Sequence, residues 1–211
     1  MKFFALLLFV FSAASAQEYP RDYFRPPLDI PLQLAGNFGE LRNNHFHAGL
    51  DFRTQQREGL NIYASADGYV SRIKISTYGY GKAIYVTHPN GFTTVYGHLS
   101  KASPVIEAYI KKNQYAQKAF EVEMNPKEGE LVFKKGDIIA FSGNSGGSGG
   151  PHLHFEVRDS KTEKTINPML FGFDKMVSDT KSPIINNLVV YPIGDSSSVN
   201  QTQRPLEVSL T

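Results

Sequence analysis

The chain of 211 residues contains no cysteine and no tryptophan. Without thiolates it forms no disulfide and no cysteine-ligated zinc site, so any transition-metal site must be built from histidine and carboxylate. It also lacks an excess of either charge. Lysine and arginine number 22 against 20 aspartates and glutamates. These are mixed along the chain without a long basic block, which argues against a nucleic-acid partner. Past the N-terminus no apolar run approaches the roughly 18–20 residues of a transmembrane helix. His-Glu-x-x-His is absent, which excludes the helix-borne type of zinc protease. The glycine-rich run Gly143 to Gly150 has no Lys-Ser/Thr ending and precedes a strand, so it is not a phosphate-binding loop. Gly143-x-Ser145-x-Gly147 lies inside that loop rather than on a strand-to-helix turn, and serine catalysis is left without support.

The N-terminus has the three parts of a secretory signal: Lys2, the apolar stretch Phe3 to Phe11, and Ala14-x-Ala16 before Gln17. Residues 1–16 are therefore expected to be cleaved, without a lipid anchor since no cysteine follows. The mature chain is expected in the periplasm, the cell envelope or the extracellular space. Residues 17–35, rich in proline and aromatics, read as an extended arm packed on the domain that follows.

From Gly36 the pattern is that of short strands punctuated by Gly, Asn and Asp. Candidates are 39–42, 46–53, 61–64, 68–76, 83–88, 92–96, 131–133, 138–142 and 152–158. Pro89-Asn90-Gly91 is a hairpin turn signal. Ser103-Pro104 reads as an N-cap followed by proline in the first helical turn, and Val105, Ile106, Tyr109, Ile110, Ala116 and Phe120 recur at roughly helical spacing. The expected fold is mostly β, with antiparallel sheets forming an open groove or sandwich and one inserted α-helix over about 104–119. The main domain is expected over 36–175. Residues 176–211 read as a linker and the start of a second, truncated β-domain, with strands at 184–192 and 206–210.

What is present in this β framework is histidine beside carboxylate. His47-Ala-Gly-Leu-Asp51 and His152-Leu-His154 offer three imidazoles and an acid in two short clusters. A catalytic zinc site takes three such ligands and keeps a fourth position open. Alternation puts His47, Gly49, Asp51 and Arg53 on one face of their strand, and Phe46, Ala48, Leu50 and Phe52 on the other, core-directed face. In the other strand His152, His154, Glu156 and Arg158 oppose the core residues Leu153, Phe155 and Val157. His152 and His154 would stand about 6–7 Å apart at Cα, close enough to serve one site. His47 and Asp51 would be roughly 13 Å apart on an ideal strand, too far to share one ion. If both ligate, the chain must bend near Gly49 or His47 must precede the strand.

Three motifs in order make the pattern specific: His47-x-Gly49-x-Asp51, Tyr96-Gly97-His98-Leu99-Ser100, and Gly150-Pro151-His152-Leu153-His154-Phe155-Glu156. Over about Gly36 to Pro168 the chain resembles the LytM/lysostaphin family of zinc endopeptidases that cut peptidoglycan, with Lys134 to Ile139 and Ser142 to Ser145 also family-like. The segment Ser103 to Phe120 is longer than the usual connection there. The resemblance implies a single zinc held by His47, Asp51 and His154, with His98 and His152 as catalytic histidines beside it. It implies peptidoglycan stem or cross-bridge peptides as substrate. The rival expectations are a non-catalytic cell-wall-binding or hydrolase-activating scaffold on the same fold, and a latent enzyme whose arm covers the groove with a residue such as Asn37 in the open position.

The remaining candidates are less directed. His88, at the hairpin turn, reads as structural. His45 shares the nominal face of His47 and stands as a spare ligand or outer donor. Glu156 reads as a partner that holds a histidine in orientation. The loop Gly143 to Gly150 is either a groove wall or a plain loop, and Tyr78 to Gly81 either a groove edge or a turn.

Overall fold

The structure, a computed structural model, describes residues 18–179 and 184–210. The expected signal at 1–16 lies outside the described residues. The chain divides into two units between Ser178 and Asp179.

In the first unit the arm does pack on the domain. Its prolines limit ladder pairing, but Phe24, Leu28 and Leu32 are buried in the core. The arm ends as strand β1 (Leu34–Gly36). It is followed by β2 (Leu50–Arg53), β3 (Asn61–Tyr63), β4 (Gly68–Ile75), β5 (Lys82–Thr87), β6 (Phe92–Gly97) and β7 (Lys101–Ala102). Then come helix α1 (Pro104–Gln117), β8 (Val122–Met124), β9 (Val132–Phe133), β10 (Ile138–Phe141), β11 (His152–Asp159) and β12 (Thr165–Ile166). A nine-stranded antiparallel sheet runs β1-β2-β11-β6-β5-β4-β8, with β12 on β11 and β9 on β4. A second sheet, β3-β10-β7, packs over part of the core. The mostly-β, antiparallel architecture with one inserted α-helix is the expected one.

One face of the large sheet is apolar. Leu50 and Phe52 on β2, Tyr96 on β6, and Leu153, Phe155 and Val157 on β11 are fully buried there. Phe155 sits among aromatic rings, with Tyr96 edge-on at 5.5 Å and Phe173 at 5.1 Å between ring centroids. Burying a side chain of this size contributes about 1.5–3 kcal/mol. Strand alternation then directs Asp51, His152 and His154 to the other face.

Some local expectations are corrected. The strand expected over 46–53 begins only at Leu50, and Phe46 is 69% exposed rather than on the core face. Residues 39–42 form no strand; Leu41 and Phe46 meet in an isolated bridge. The short strands β1, β7, β8 and β12 had no readable alternation in two or three residues. Helix α1 ends at Gln117, because Lys118 turns left-handed at φ 50. Ser103 occupies the N-cap with extended backbone, yet its hydroxyl makes no capping bond and is buried without a partner. Ile106 and Ile110 carry the helix packing, while Val105 and Phe120 are exposed. In the second unit β13 (Asn187–Val190) and β14 (Leu206–Ser209) pair antiparallel, from Asn187 opposite Ser209 to Val190 opposite Leu206. Both are shorter than the expected 184–192 and 206–210.

Candidate metal centre and catalytic cleft

Sheet register assembles the site. His154 on β11 stands opposite Asp51 on β2 and opposite Gly97 on β6. Gly97 makes room for it: a Cβ there would lie 3.3 Å from the His154 Cβ and 3.5 Å from that of Tyr80. His47 arrives differently. The chain bends at Gly49, so His47 lies in the loop before β2 and folds back onto Asp51. Only glycine fits at the bend, since a Cβ would run into the Phe155 carbonyl oxygen. His47 is fixed by main-chain bonds to Gly39 and Glu40.

Three atoms converge. His47 Nε2 is 3.0 Å from Asp51 Oδ1 and 3.0 Å from His154 Nδ1, and His154 Nδ1 is 2.9 Å from Asp51 Oδ1. The other nitrogen of each ring is committed outward. His47 Nδ1 donates to the Asn37 carbonyl at 2.7 Å, and His154 Nε2 donates to Glu156 Oε1 at 2.8 Å. In the neutral tautomers these bonds require, both imidazoles aim a lone pair at the same point as the carboxylate. Three lone pairs this close repel unless a proton or a cation sits among them. Ligands about 2.1 Å from a tetrahedral zinc stand about 3.4 Å apart, so a small outward relaxation seats the ion. The donor set therefore fits zinc, and the three atoms form a group able to hold a metal ion.

The charges match this. Burial opposes ionisation of Asp51, but hydrogen bonds from His152, His154 and His47 outweigh it and hold the carboxyl far below the usual range. Burial disfavours a charged His154, yet bonds to Asp51 and Glu156 outweigh it and raise the imidazole to about 9. The position thus favours positive charge. Glu156 is fully buried and accepts from His154, from the Tyr80 hydroxyl and from Arg158 Nε at 2.5 Å. Tyr80 also stacks on the His154 ring at 4.8 Å. On the far side Arg42 reaches Asp51 Oδ2 at 3.2 Å, leaving Oδ1 for the cluster.

His98 and His152 flank this centre with ring centroids 4.6 Å apart. His98 follows β6 in the left-handed region at φ 59, a conformation that costs about 1–2 kcal/mol and turns the ring into the cleft. Its Nδ1 donates to the Ser145 carbonyl at 2.8 Å, and His152 Nδ1 donates to the Gly150 carbonyl at 2.8 Å. Both rings therefore present Nε2 to the cleft. His152 Nε2 lies 3.5 Å from Asp51 Oδ1. Burial, reinforced by the neighbouring imidazoles, lowers His98 to about 4. For His152, burial is outweighed by Asp51 and the Gly150 carbonyl, and its pKa is raised.

All five residues singled out in the sequence line one open cleft of about 600 Å³. The segments left open in the sequence line it too, through Gly147 to Gly149 and through Gly79 and Tyr80. His45 lies in the cleft wall but bonds Asn44 rather than joining the cluster. Asn37 meets His47 through its main chain on the outward nitrogen, not through the cluster. Arg42 was not singled out in the sequence, and Tyr80 only as part of the segment Tyr78 to Gly81, because neither carries a spacing signal of its own.

Comparison with known proteins agrees with this geometry. Residues 45–119 match the model of peptidase family M23. A Haemophilus influenzae protein named as an uncharacterized metalloprotease is 34% identical over 155 residues, covering 71% of this chain and 27% of its own. The chain carries a peptidase family M23 domain. The M23 relatives also include the DD-carboxypeptidase/endopeptidase Mpg of Neisseria meningitidis, 36% identical over 61% of this chain and 23% of its own. The chain thus spans about a quarter of the length of these curated relatives. A zinc-containing peptidase from Vibrio cholerae superposes with a TM-score of 0.50 at 25% identity, over 72% of this chain and 40% of that one. The catalytic domain of the M23 protein EnpA from Enterococcus faecalis shares the fold, with a TM-score of 0.51 at 24% identity over 71% of this chain and 98% of that one. No helix among the described residues is long and apolar enough to cross a membrane.

Proposed function

We propose that this chain is a zinc-dependent endopeptidase that hydrolyses peptide bonds in peptidoglycan stem or cross-bridge peptides. The observation that carries the proposal is the convergence of His47 Nε2, Asp51 Oδ1 and His154 Nδ1 within 3.0 Å, each ring's other nitrogen committed outward. Those three atoms are the zinc ligands. A zinc ion held by them would supply an acidified water and a polarised carbonyl.

His98 and His152 do the proton work. Each Nε2, neutral, accepts a proton from the attacking water; charged, it donates one to the departing amine or to the oxyanion. Their Nδ1–H bonds to main-chain carbonyls hold the rings in the tautomer that this requires. Glu156, Tyr80 and Arg158 keep His154 in orientation.

The substrate assignment takes support from a Vibrio cholerae relative named as a peptidoglycan DD-endopeptidase, 29% identical over 65% of this chain. Residues 1–16 act as the export signal, 17–35 as one wall-forming arm and 36–175 as the peptidase domain, with 176–211 leading into a second β-domain. The site works in the cell envelope. Arm residues Ile30, Pro31, Gln33 and Ala35 line a groove beside His152 rather than the cleft over the three ligands, which disfavours the latent form.

Release of new amino groups from purified murein tests the reading. The zinc-loaded chain is expected to release them, and chelation, His98→Ala or His152→Ala to abolish release. A zinc-loaded chain that leaves murein intact while still binding it would assign the scaffold role instead.

A further inference from the structure

A second groove lies beside the catalytic cleft. It has a volume of about 770 Å³ and shares His152 with the cleft. Its walls are the arm residues, Arg53 at the end of β2, Gln55 and Gln56 in the following turn, and Gly150-Pro151. Register sets Arg53 directly opposite His152 on the neighbouring strand, so their Cβ atoms stand about 4.5–5.5 Å apart on the same face. The Arg53 side chain is exposed, and its Nε donates to the Leu34 carbonyl at 3.1 Å. That bond anchors the guanidinium at one edge, with the remaining N–H groups available to the groove. No acidic residue lines the groove to compete for it. The other polar lining is amide: Gln33, Gln55 and Gln56. Gln55 and Gln56 both sit in the left-handed region, at φ 56 and 59, a conformation non-glycine residues seldom take in succession. The turn thus keeps a strained shape where its side chains meet the groove.

We propose that Arg53 is a specificity residue that binds a carboxylate of the substrate peptide next to the bond presented to His152. A guanidinium fork matches a carboxylate in two parallel bonds, the flanking amides suit a peptide backbone, and Ile30, Pro31 and Pro151 suit its apolar parts. The carboxylate is either the C-terminus of the substrate peptide or one of its side-chain acids; both have the same chemistry. The proposal rests on the endopeptidase reading for what the groove serves, but its test does not depend on turnover.

The test measures binding to the full chain by titration calorimetry. The probes are acetyl-D-Ala-D-Ala and its C-terminal amide, and the amides of acetyl-D-Ala-D-Glu and acetyl-D-Ala-D-Gln. A carboxylate probe is expected to bind roughly 10- to 100-fold more tightly than its uncharged partner. In Arg53→Gln the ratio falls to about one, and Arg53→Lys keeps an intermediate preference, which a folding defect would not produce. Discrimination in the first pair assigns the terminus; discrimination in the second assigns the side chain. Equal binding within both pairs, or a preference that survives in Arg53→Gln, overturns the proposal. Carboxylate preference in a zinc-loaded chain that never cleaves murein overturns the endopeptidase reading and leaves this subsite standing.

Discussion

His88 links the fold's stability to pH. It is 3% exposed and both ring nitrogens are bonded. Its Nδ1 lies 2.8 Å from the Asp67 carbonyl, which only accepts, so Nδ1 carries the hydrogen. Its Nε2 then accepts from the Thr94 hydroxyl at 2.8 Å. Thr94 Oγ1 lies 3.0 Å from the Tyr96 hydroxyl, which accepts from the Ser65 amide at 2.9 Å. Protonating His88 replaces the Nε2 lone pair with an N–H and puts a charge among buried groups, so the Thr94 hydroxyl must accept from the ring instead of donating to it. Burial, opposed only in part by the Asp67 carbonyl and charge, pushes His88 down to about 4.

Because the folded value lies below the unfolded one, near 6.5, the unfolded chain binds more protons between the two. Stability is therefore lost as pH falls through that window and stops changing on this account below about 4. Linkage gives a loss of about 2 kcal/mol from pH 7 to about pH 5, and about 3 kcal/mol by about pH 4. Urea unfolding followed by circular dichroism, on wild type and His88→Gln, isolates the effect from that of the carboxylates. The stability advantage of wild type over the variant is expected to shrink by about 2 kcal/mol between pH 7 and about pH 5. An advantage that stays constant across that range would refute the argument.

Two further substitutions probe the framework. Glu156→Gln removes the carboxylate that His154, Tyr80 and Arg158 share, and is expected to weaken zinc binding by about 10- to 100-fold in a chelator competition. An unchanged affinity would show that the buried network does not orient His154. Ser103→Ala is expected to change unfolding free energy by no more than about 0.5 kcal/mol, against the usual loss of about 1 kcal/mol at an N-cap, because this hydroxyl makes no bond.

The site was more legible in the sequence than the strand boundaries were. Histidine and aspartate are scarce and chemically distinct, so their spacing in three ordered motifs carried the cluster. The conflict between a straight strand and the His47–Asp51 spacing pointed to Gly49, where the chain does bend. Phe46 was misplaced on the core face for the same reason: alternation counts residues through a bend it cannot register. Arg42 and Tyr80 come to the site from loops, through long-range packing that no local pattern encodes. The side chain of Ser103 illustrates a related limit, since composition places the cap and tertiary burial decides whether it bonds.

The central claim is that a bend at Gly49 and the register of β2 against β11 build a single metal site from His47, Asp51 and His154. Zinc content of the purified chain, measured by atomic emission in wild type, His154→Ala and His152→Ala, tests it most directly. The account predicts one zinc per chain in wild type and in His152→Ala, and loss of zinc in His154→Ala. Full zinc retained in His154→Ala, or none in wild type after loading, would contradict it.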